Sequence, residues 1–338
     1  MAGRYHTTFF QSISAESEIK LRIYQTYLEP WSRKVALLSR RIWVVDGFAG
    51  RGKYENGAPG SPAVALALSE VLAAAKSPVR LQCVFAETRQ SNVQRLRELA
   101  GRYPSASSMF IRESFWDQIE NVIRIVGREP ALLFVDPFGL LAIDFERLVQ
   151  LINGLHGPVD LVVNFRSTAA PRLVTDHRDR VTKAVGSADW EPDSISDVFK
   201  RNLAERCGFL RPASLGIRTR FGGAVKSELI LASRHPDAYE LWNDQIVLEA
   251  ERLGEADGET DPKDSRDDNL LIVAARLTEW AAGRTRWRRN EVIAWHVVNH
   301  CGDAHTGTIK RAVGHLLRQG WKRAGSSPRI EEDFISWA

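Results

Sequence analysis

Three short stretches carry residues whose types and spacing suit one site. The first is Asp46-Gly47-Phe48-Ala49-Gly50-Arg51-Gly52, a carboxylate followed by three glycines within six residues. Glycine lets the backbone turn sharply and approach a ligand closely. The spacing is neither the dinucleotide pattern G-x-G-x-x-G nor a phosphate loop, since no Gly-Lys-Ser/Thr occurs. The second is Glu87, a carboxylate able to accept hydrogen bonds from both hydroxyls of a ribose. It lies 41 residues after Asp46, further than the usual ~20; a loop at 53–59 and the helix after it fill most of the difference. Its plainer reading is an exposed acid ending a strand. The third is Asp136-Pro137-Phe138-Gly139. There a carboxylate able to accept hydrogen bonds stands two residues before an aromatic ring able to stack on a flat group. The competing reading is a strand-ending turn, because Pro and Gly punctuate turns.

The elements that must position these residues follow from hydrophobic pattern. Residues 42–45 form a short β-branched run that predicts a buried strand ending on Asp46. Gly60-Ser61-Pro62 then opens an apolar helix over 63–75, with Ser61 suited to the N-cap and Pro62 to the first helical position. A strand at 79–86 ends on Glu87 and precedes an amphipathic helix with Val93, Leu96 and Leu99 on one side. A strand at 109–111 is closed by Glu113-Ser114, a helix follows over 116–126, and the apolar strand 131–135 ends on Asp136. A helix at 145–152 leads to a strand at 159–163 ending on Asn164. This alternation predicts a parallel doubly wound sheet, which binds ligands at the carboxyl ends of its strands. Ahead of it, residues 1–40 read as helical, with Ile19, Ile23, Tyr27 and Leu28 on one face and an interruption at Pro30. The span 166–215 breaks the rhythm and reads as a helical insertion over the carboxyl edge, with late strands at 221–224 and 228–232.

Between 249 and 268 the chain turns acidic, with nine Asp/Glu against three Lys/Arg, and apolar periodicity is lost from 254 to 268. This marks an acidic linker over 254–268, dividing a domain at 1–253 from one at 269–338. The tail from 270 has eleven Lys/Arg against six Asp/Glu, an excess larger than the +4 of the whole chain. Leu270, Val273, Leu277, Trp280 and Ala281 form one helical stripe stopped by Gly283. Asn290 suits the cap of a second helix at 291–300, and Thr306 that of a third, with Ile309, Val313, Leu316 and Leu317 inward. Residues 321–324 and 330–337 are spaced for a hairpin. Three helices and a hairpin describe a winged helix-turn-helix, on whose third helix Thr308, Lys310, Arg311, His315 and Arg318 are expected to face outward. Such folds dock proteins as well as nucleic acid. Arg284, Arg286, Arg288 and Arg289 around Trp287 read either as a phosphate-contacting arm or as a solvated basic turn.

No apolar run approaches the ~20 residues of a membrane span, and the first ten residues lack an apolar signal core. Cys83, Cys207 and Cys301 are too scattered for a zinc knuckle or a disulfide framework, which suits a reducing cytoplasm. No metal site is expected.

The order of motifs resembles a known family. The D-x-F-x-G-x-G turn is similar to motif I of S-adenosylmethionine-dependent methyltransferases, and Asp-Pro-Phe-Gly is nearer the Asp-Pro-Phe/Tyr-Gly of tRNA guanine-N2 methyltransferases than the adenine pattern. Tyr-Leu-Glu-Pro-Trp (27–31), Asp-Gly-Phe-Ala-Gly with Gly-Ser-Pro, Phe-Val-Asp-Pro-Phe-Gly and Leu-Ile-Leu-Ala-Ser-Arg-His-Pro (229–236) occur in that order. Together they resemble the three-Cys-motif partner protein family over about 15–250. The resemblance implies a Rossmann-like class I methyltransferase sheet, S-adenosylmethionine as cofactor, and a separately encoded three-Cys-motif protein as partner. Asp46, Phe48, Gly50, Gly52, Ser61, Glu87 and Ser114 would then hold the cofactor, and Asp136 with Phe138 the acceptor. The tail lies outside that resemblance; on its winged helix-turn-helix reading, Arg286, Arg288, Arg289, Lys310, Arg311 and Arg318 would meet nucleic acid, DNA or RNA. Two other readings stay open: a methyltransferase-fold scaffold with little or no catalysis, and a small-molecule methyltransferase.

Overall fold

A computed structural model describes residues 12–220, 223–257, 264–282, 287–323 and 333–335. The chain divides into two compact units, 1–219 with 223–234, and 220–222 with 235–338.

The first unit is built on a seven-stranded sheet in the order β3-β2-β1-β4-β5-β7-β6. Its strands are β1 (Arg41–Asp46), β2 (Arg80–Ala86), β3 (Ser107–Ile111), β4 (Ala131–Val135), β5 (Val159–Phe165), β6 (Ala213–Ile217) and β7 (Ser227–Ser233). The first five run parallel, and β7 runs antiparallel to both β5 and β6. All five residues of β4 and all seven of β5 are buried, as expected of parallel strands covered on both faces. The helices of this unit are α1 (Ala15–Val35), α2 (Ser61–Ala74), α3 (Gln90–Ala100), α4 (Ile119–Val126), α5 (Phe145–Gly154), α6 (Ala170–Val185) and α7 (Ile195–Cys207).

Several expectations need correction. α1 does not stop at Pro30 but continues to Val35. Its stripe Ile23, Tyr24, Tyr27, Leu28 and Trp31 is buried, and that packing outweighs one missing backbone bond. Residues 223–224 are not strand, and 221–222 lie outside the described residues; the sixth strand is instead β6. Its sequence, Ala-Ser-Leu-Gly-Ile, lacks β-branched density because it sits on the sheet's edge. α6 and α7 also contribute to the core of the first unit. Val181, Val185, Phe199 and Leu203 join Phe145 and Leu148 of α5 in one apolar cluster against the sheet.

The second unit contains α8 (Pro236–Asp257), α9 (Asp264–Ala281), α10 (Arg289–Asn299) and α11 (Thr306–Arg318). Short strands β8 (Trp287–Arg288), β9 (Lys322–Arg323) and β10 (Asp333–Ile335) form an antiparallel sheet ordered β8-β10-β9. α8 groups with this unit and not with residues 1–234, so the division lies ahead of Pro236. The cause is specific: Asn243 Nδ2 donates to the Ala304 carbonyl at 2.8 Å, and Asn243 Oδ1 accepts from Gly302 N–H at 2.8 Å. Asp244 Oδ1 also accepts from Thr306 N–H at 2.8 Å, capping α11 from outside. The expected linker is helical at 254–257 and 264–268. Among the described residues no helix is long and apolar enough to cross a membrane.

Candidate active site

The glycine-rich turn leaves β1 and folds over the sheet's carboxyl end. Asp46 is buried, 1% exposed, and sits beneath the turn. One carboxylate oxygen accepts from Phe48 N–H at 3.0 Å and the other from Ser61 Oγ at 2.6 Å. Burial pushes its carboxyl up to about 7, against the lowering effect of those two hydrogen bonds; the nearby Asp136 and Glu87 add to the rise. Ser61 is therefore not the N-cap. The cap is Gly60, and the Ser61 hydroxyl ties α2 to Asp46. Gly52 has φ +78°, and a Cβ there would meet Leu99 Cδ2 at 2.5 Å, so only glycine fits. The amides of Gly50 and Gly52 donate no hydrogen bond among the described residues, leaving them available to a ligand.

Two hollows flank this turn. The larger, about 320 Å³, is lined by Phe48–Tyr54, Gly60, Ser61, Asp136–Phe138, Arg166 and, from α1, Ser17, Lys20 and Leu21. The smaller, about 190 Å³, is lined by Gly47, Phe48, Ala86–Thr88, Glu113–Phe115 and Phe138. Phe48 and Phe138 belong to both walls. Glu87 and Ser114 line the smaller hollow; Gly50, Gly52, Ser61 and Asp136 line the larger. Asp46 lines neither and acts on the shape of the turn.

Glu87 Oε1 accepts from Arg89 N–H at 2.8 Å, and no described hydrogen bond falls on Oε2. The aromatic wall beside it is locked. Phe48 lies 6.3 Å from Phe115 and 6.0 Å from Trp116 between centroids, and Trp116 Nε1 donates to the Ala142 carbonyl at 2.8 Å. Phe138 is 57% exposed, a large ring presented at the mouth.

The acceptor end holds residues that the motifs did not point to. Lys20 Nζ donates to both Asp136 carboxylate oxygens at 2.9 Å, and Asn164 Nδ2 donates to Oδ1 at 2.6 Å. The Lys20 side chain is only 5% exposed and that of Asp136 27%. Tyr54 shares a hydrogen bond with Ser17, and burial raises its phenol. The signal for Lys20 was present in the sequence: it falls on the buried stripe of α1, three and four residues before Ile23 and Tyr24. A lysine on such a stripe needs a partner.

In the second unit Lys310, Arg311 and Arg318 are exposed along α11, and Arg288 and Arg289 open α10. Arg284 and Arg286 lie outside the described residues. Thr308 does not face outward: it is 4% exposed and accepts from Arg311 at 3.1 Å. Leu317 is half-buried, not inward. Among the described residues no cluster suits a metal ion.

The sheet is mixed: five parallel strands, with β7 reversed between β5 and β6. No family model matches the chain, and no curated protein is significantly similar to it. Solved structures are. The bifunctional kinase-methyltransferase WbdD is 17% identical, covering 64% of this chain and 39% of its own, with TM-score 0.39. An S-adenosylmethionine-dependent methyltransferase from Agrobacterium tumefaciens is 14% identical, covering 62% of each chain, with TM-score 0.37. An rRNA methylase from Streptococcus thermophilus is 10% identical, covering 61% of this chain and 95% of its own, with TM-score 0.33. This chain thus spans about two fifths of WbdD.

Proposed function

We propose that the first unit transfers a methyl group from S-adenosylmethionine to an exocyclic amine of a nucleic-acid base. The observation that carries this reading is the pair of hollows meeting at Phe48 and Phe138, with Glu87 in one and Asp136 in the other. Glu87 Oε2 would hold the ribose, and the Gly50 and Gly52 amides the methionine end. When bound, the cofactor supplies an electrophilic methyl group. The chain supplies position: Asp136 accepts a proton of the amine, Phe138 covers the base, and the aromatic wall excludes water. Titrating the wild-type chain with S-adenosylmethionine should show binding, and Glu87→Ala should weaken it by about 1–3 kcal/mol through lost hydrogen bonds to a charged group. Tritiated methyl transfer to RNA and to DNA, with and without the three-Cys partner, completes the test. Unchanged cofactor affinity in Glu87→Ala would remove the ribose assignment.

In the second unit, two helices, a strand, two helices and two strands follow one another, with the first strand pairing to the last. We infer a winged helix that binds nucleic acid through α11. Reversing Lys310, Arg311 and Arg318 to Glu in the full chain should weaken duplex and tRNA binding and lower the salt slope by about 3. An unchanged slope would leave protein docking as the use of this face.

One observation favours a quieter reading. Lys20 and Asn164 already place three hydrogen bonds on Asp136, and a carboxylate has about four such positions. That tight hold also suits a scaffold that docks the three-Cys partner without catalysis; absence of transfer with the partner present would select it.

A further inference from the structure

Arg166 comes directly after β5, which pairs with β4 on the side away from β1. It therefore stands past Asp136, while Glu87 and Ser114 follow β2 and β3 at the opposite side of the site. Its Nη2 lies 3.1 Å from Glu16 Oε1. Glu16 Oε1 accepts from Ser227 as well, at 2.9 Å. The Arg166 Nε is buried and has no hydrogen-bond partner among the described residues. A buried donor left in that state is uncommon and calls for a ligand or another explanation.

The charge of the larger hollow points the same way. Lys20, Arg51, Lys53 and Arg166 line it against a single carboxylate, Asp136. Lys20 is taken by Asp136, Arg51 bonds to Glu55 at 2.9 Å and Arg166 to Glu16 at 3.1 Å, while Lys53 makes no described ion pair and leaves one positive charge over. A cofactor with one carboxylate beside a sulfonium and an ammonium does not balance this excess, and a neutral base adds nothing to the balance. Guanidinium forks match phosphate oxygens in geometry and charge.

Resting on the methyltransferase reading of the cavity, we infer that Arg166 binds a phosphate of the acceptor, next to the base placed at Asp136 and Phe138. The acceptor is then a nucleotide unit, in a strand or free, and not a nucleoside.

The test uses the full chain saturated with S-adenosylhomocysteine. By calorimetry it is titrated with the four nucleosides, the four nucleoside 5′-monophosphates and a mixed-sequence hexaribonucleotide. At least one monophosphate, or the hexamer, should bind tenfold or more tightly than any nucleoside. Arg166→Gln, whose amide can still donate to Glu16, should remove that preference while changing S-adenosylhomocysteine affinity less than twofold, and Arg166→Lys should restore part of it. A preference confined to the hexamer identifies a strand as the source; one shown equally by a monophosphate identifies a free nucleotide. Equal binding of nucleosides and phosphates by the wild type would overturn the proposal. So would Arg166→Gln losing S-adenosylhomocysteine affinity tenfold, which would make Arg166 a holder of the cofactor carboxylate. A wild type that ignores S-adenosylhomocysteine but keeps an Arg166-dependent phosphate preference would sink the methyltransferase reading and retain the anion site.

Discussion

Removing Asp136 should destabilise the fold more than removing Lys20, although they are two halves of one ion pair. Asp136→Leu leaves the Lys20 ammonium stranded with a side chain 5% exposed, whereas Lys20→Met leaves a carboxylate that is 27% exposed and still bonded to Asn164. Breaking a buried pair from one side costs about 3–5 kcal/mol. Water and Asn164 relieve the carboxylate, so about 3 kcal/mol is expected for Asp136→Leu and about 2 for Lys20→Met. The double variant should cost less than their sum, because neither charge remains to be left alone. Urea denaturation of the four proteins measures this cycle; strict additivity would show that the pair does not act as a unit. Methyl transfer separates structure from chemistry. Both single variants should be inactive, Asp136→Leu for want of an acceptor and Lys20→Met because the carboxylate is no longer held toward the amine. Phe138→Ala offers the contrast: its exposed ring contributes little to folding, and losing it should cost about 1–3 kcal/mol of base stacking with stability unchanged.

What could be read from the sequence, and what could not, follows from how far apart the interacting residues lie. β1, β4 and β5 are buried apolar runs, so composition alone announces them, and their ends place Asp46 and Asp136 at one edge. β6 was missed because an edge strand with serine and glycine carries no such signal. The Ser61 hydroxyl was misread for a related reason. Propensity makes it a cap, but Asp46, fifteen positions earlier, competes for it and holds it at 2.6 Å. Lys20 lies 116 positions from Asp136, and no local rule pairs residues at that separation. The observed stripe of α1 includes Lys20 beside Ile23 and Tyr24, a placement the sequence reading did not draw, and only the fold names its partner. The acidic stretch after 249 read as a linker because charge hid the helices; Asn243 and Asp244, outside that stretch, tie α8 to the turn before α11.

Asp46 should make the chain less stable as the pH rises through the range from about 4 to about 7. Its carboxyl titrates near 3.8 in the unfolded chain and about 7 in the folded one, raised chiefly by burial. Between those values the folded state holds a proton that the unfolded state has released, so stability falls with rising pH across the interval and is level beyond it. About three pKa units correspond to a loss on the order of 4 kcal/mol at most. Asp46→Asn keeps an oxygen for Phe48 N–H, its amide nitrogen can donate to Ser61 Oγ, and it carries no charge. Its stability relative to wild type should therefore improve from pH 4.5 to about pH 7 and level off above that, read as the difference between two urea titrations, and a flat difference across the interval would remove Asp46 as the cause. The same linkage reaches the cofactor. A sulfonium and an ammonium bound above the turn favour the ionised carboxylate beneath it, so binding near pH 6.5 should expel a fraction of a proton. Calorimetry of S-adenosylmethionine in buffers of different ionisation enthalpy reads that proton directly. Wild type should show release that vanishes above pH 8 and is absent in Asp46→Asn; proton uptake, or equal release by both proteins, would place the titrating group elsewhere.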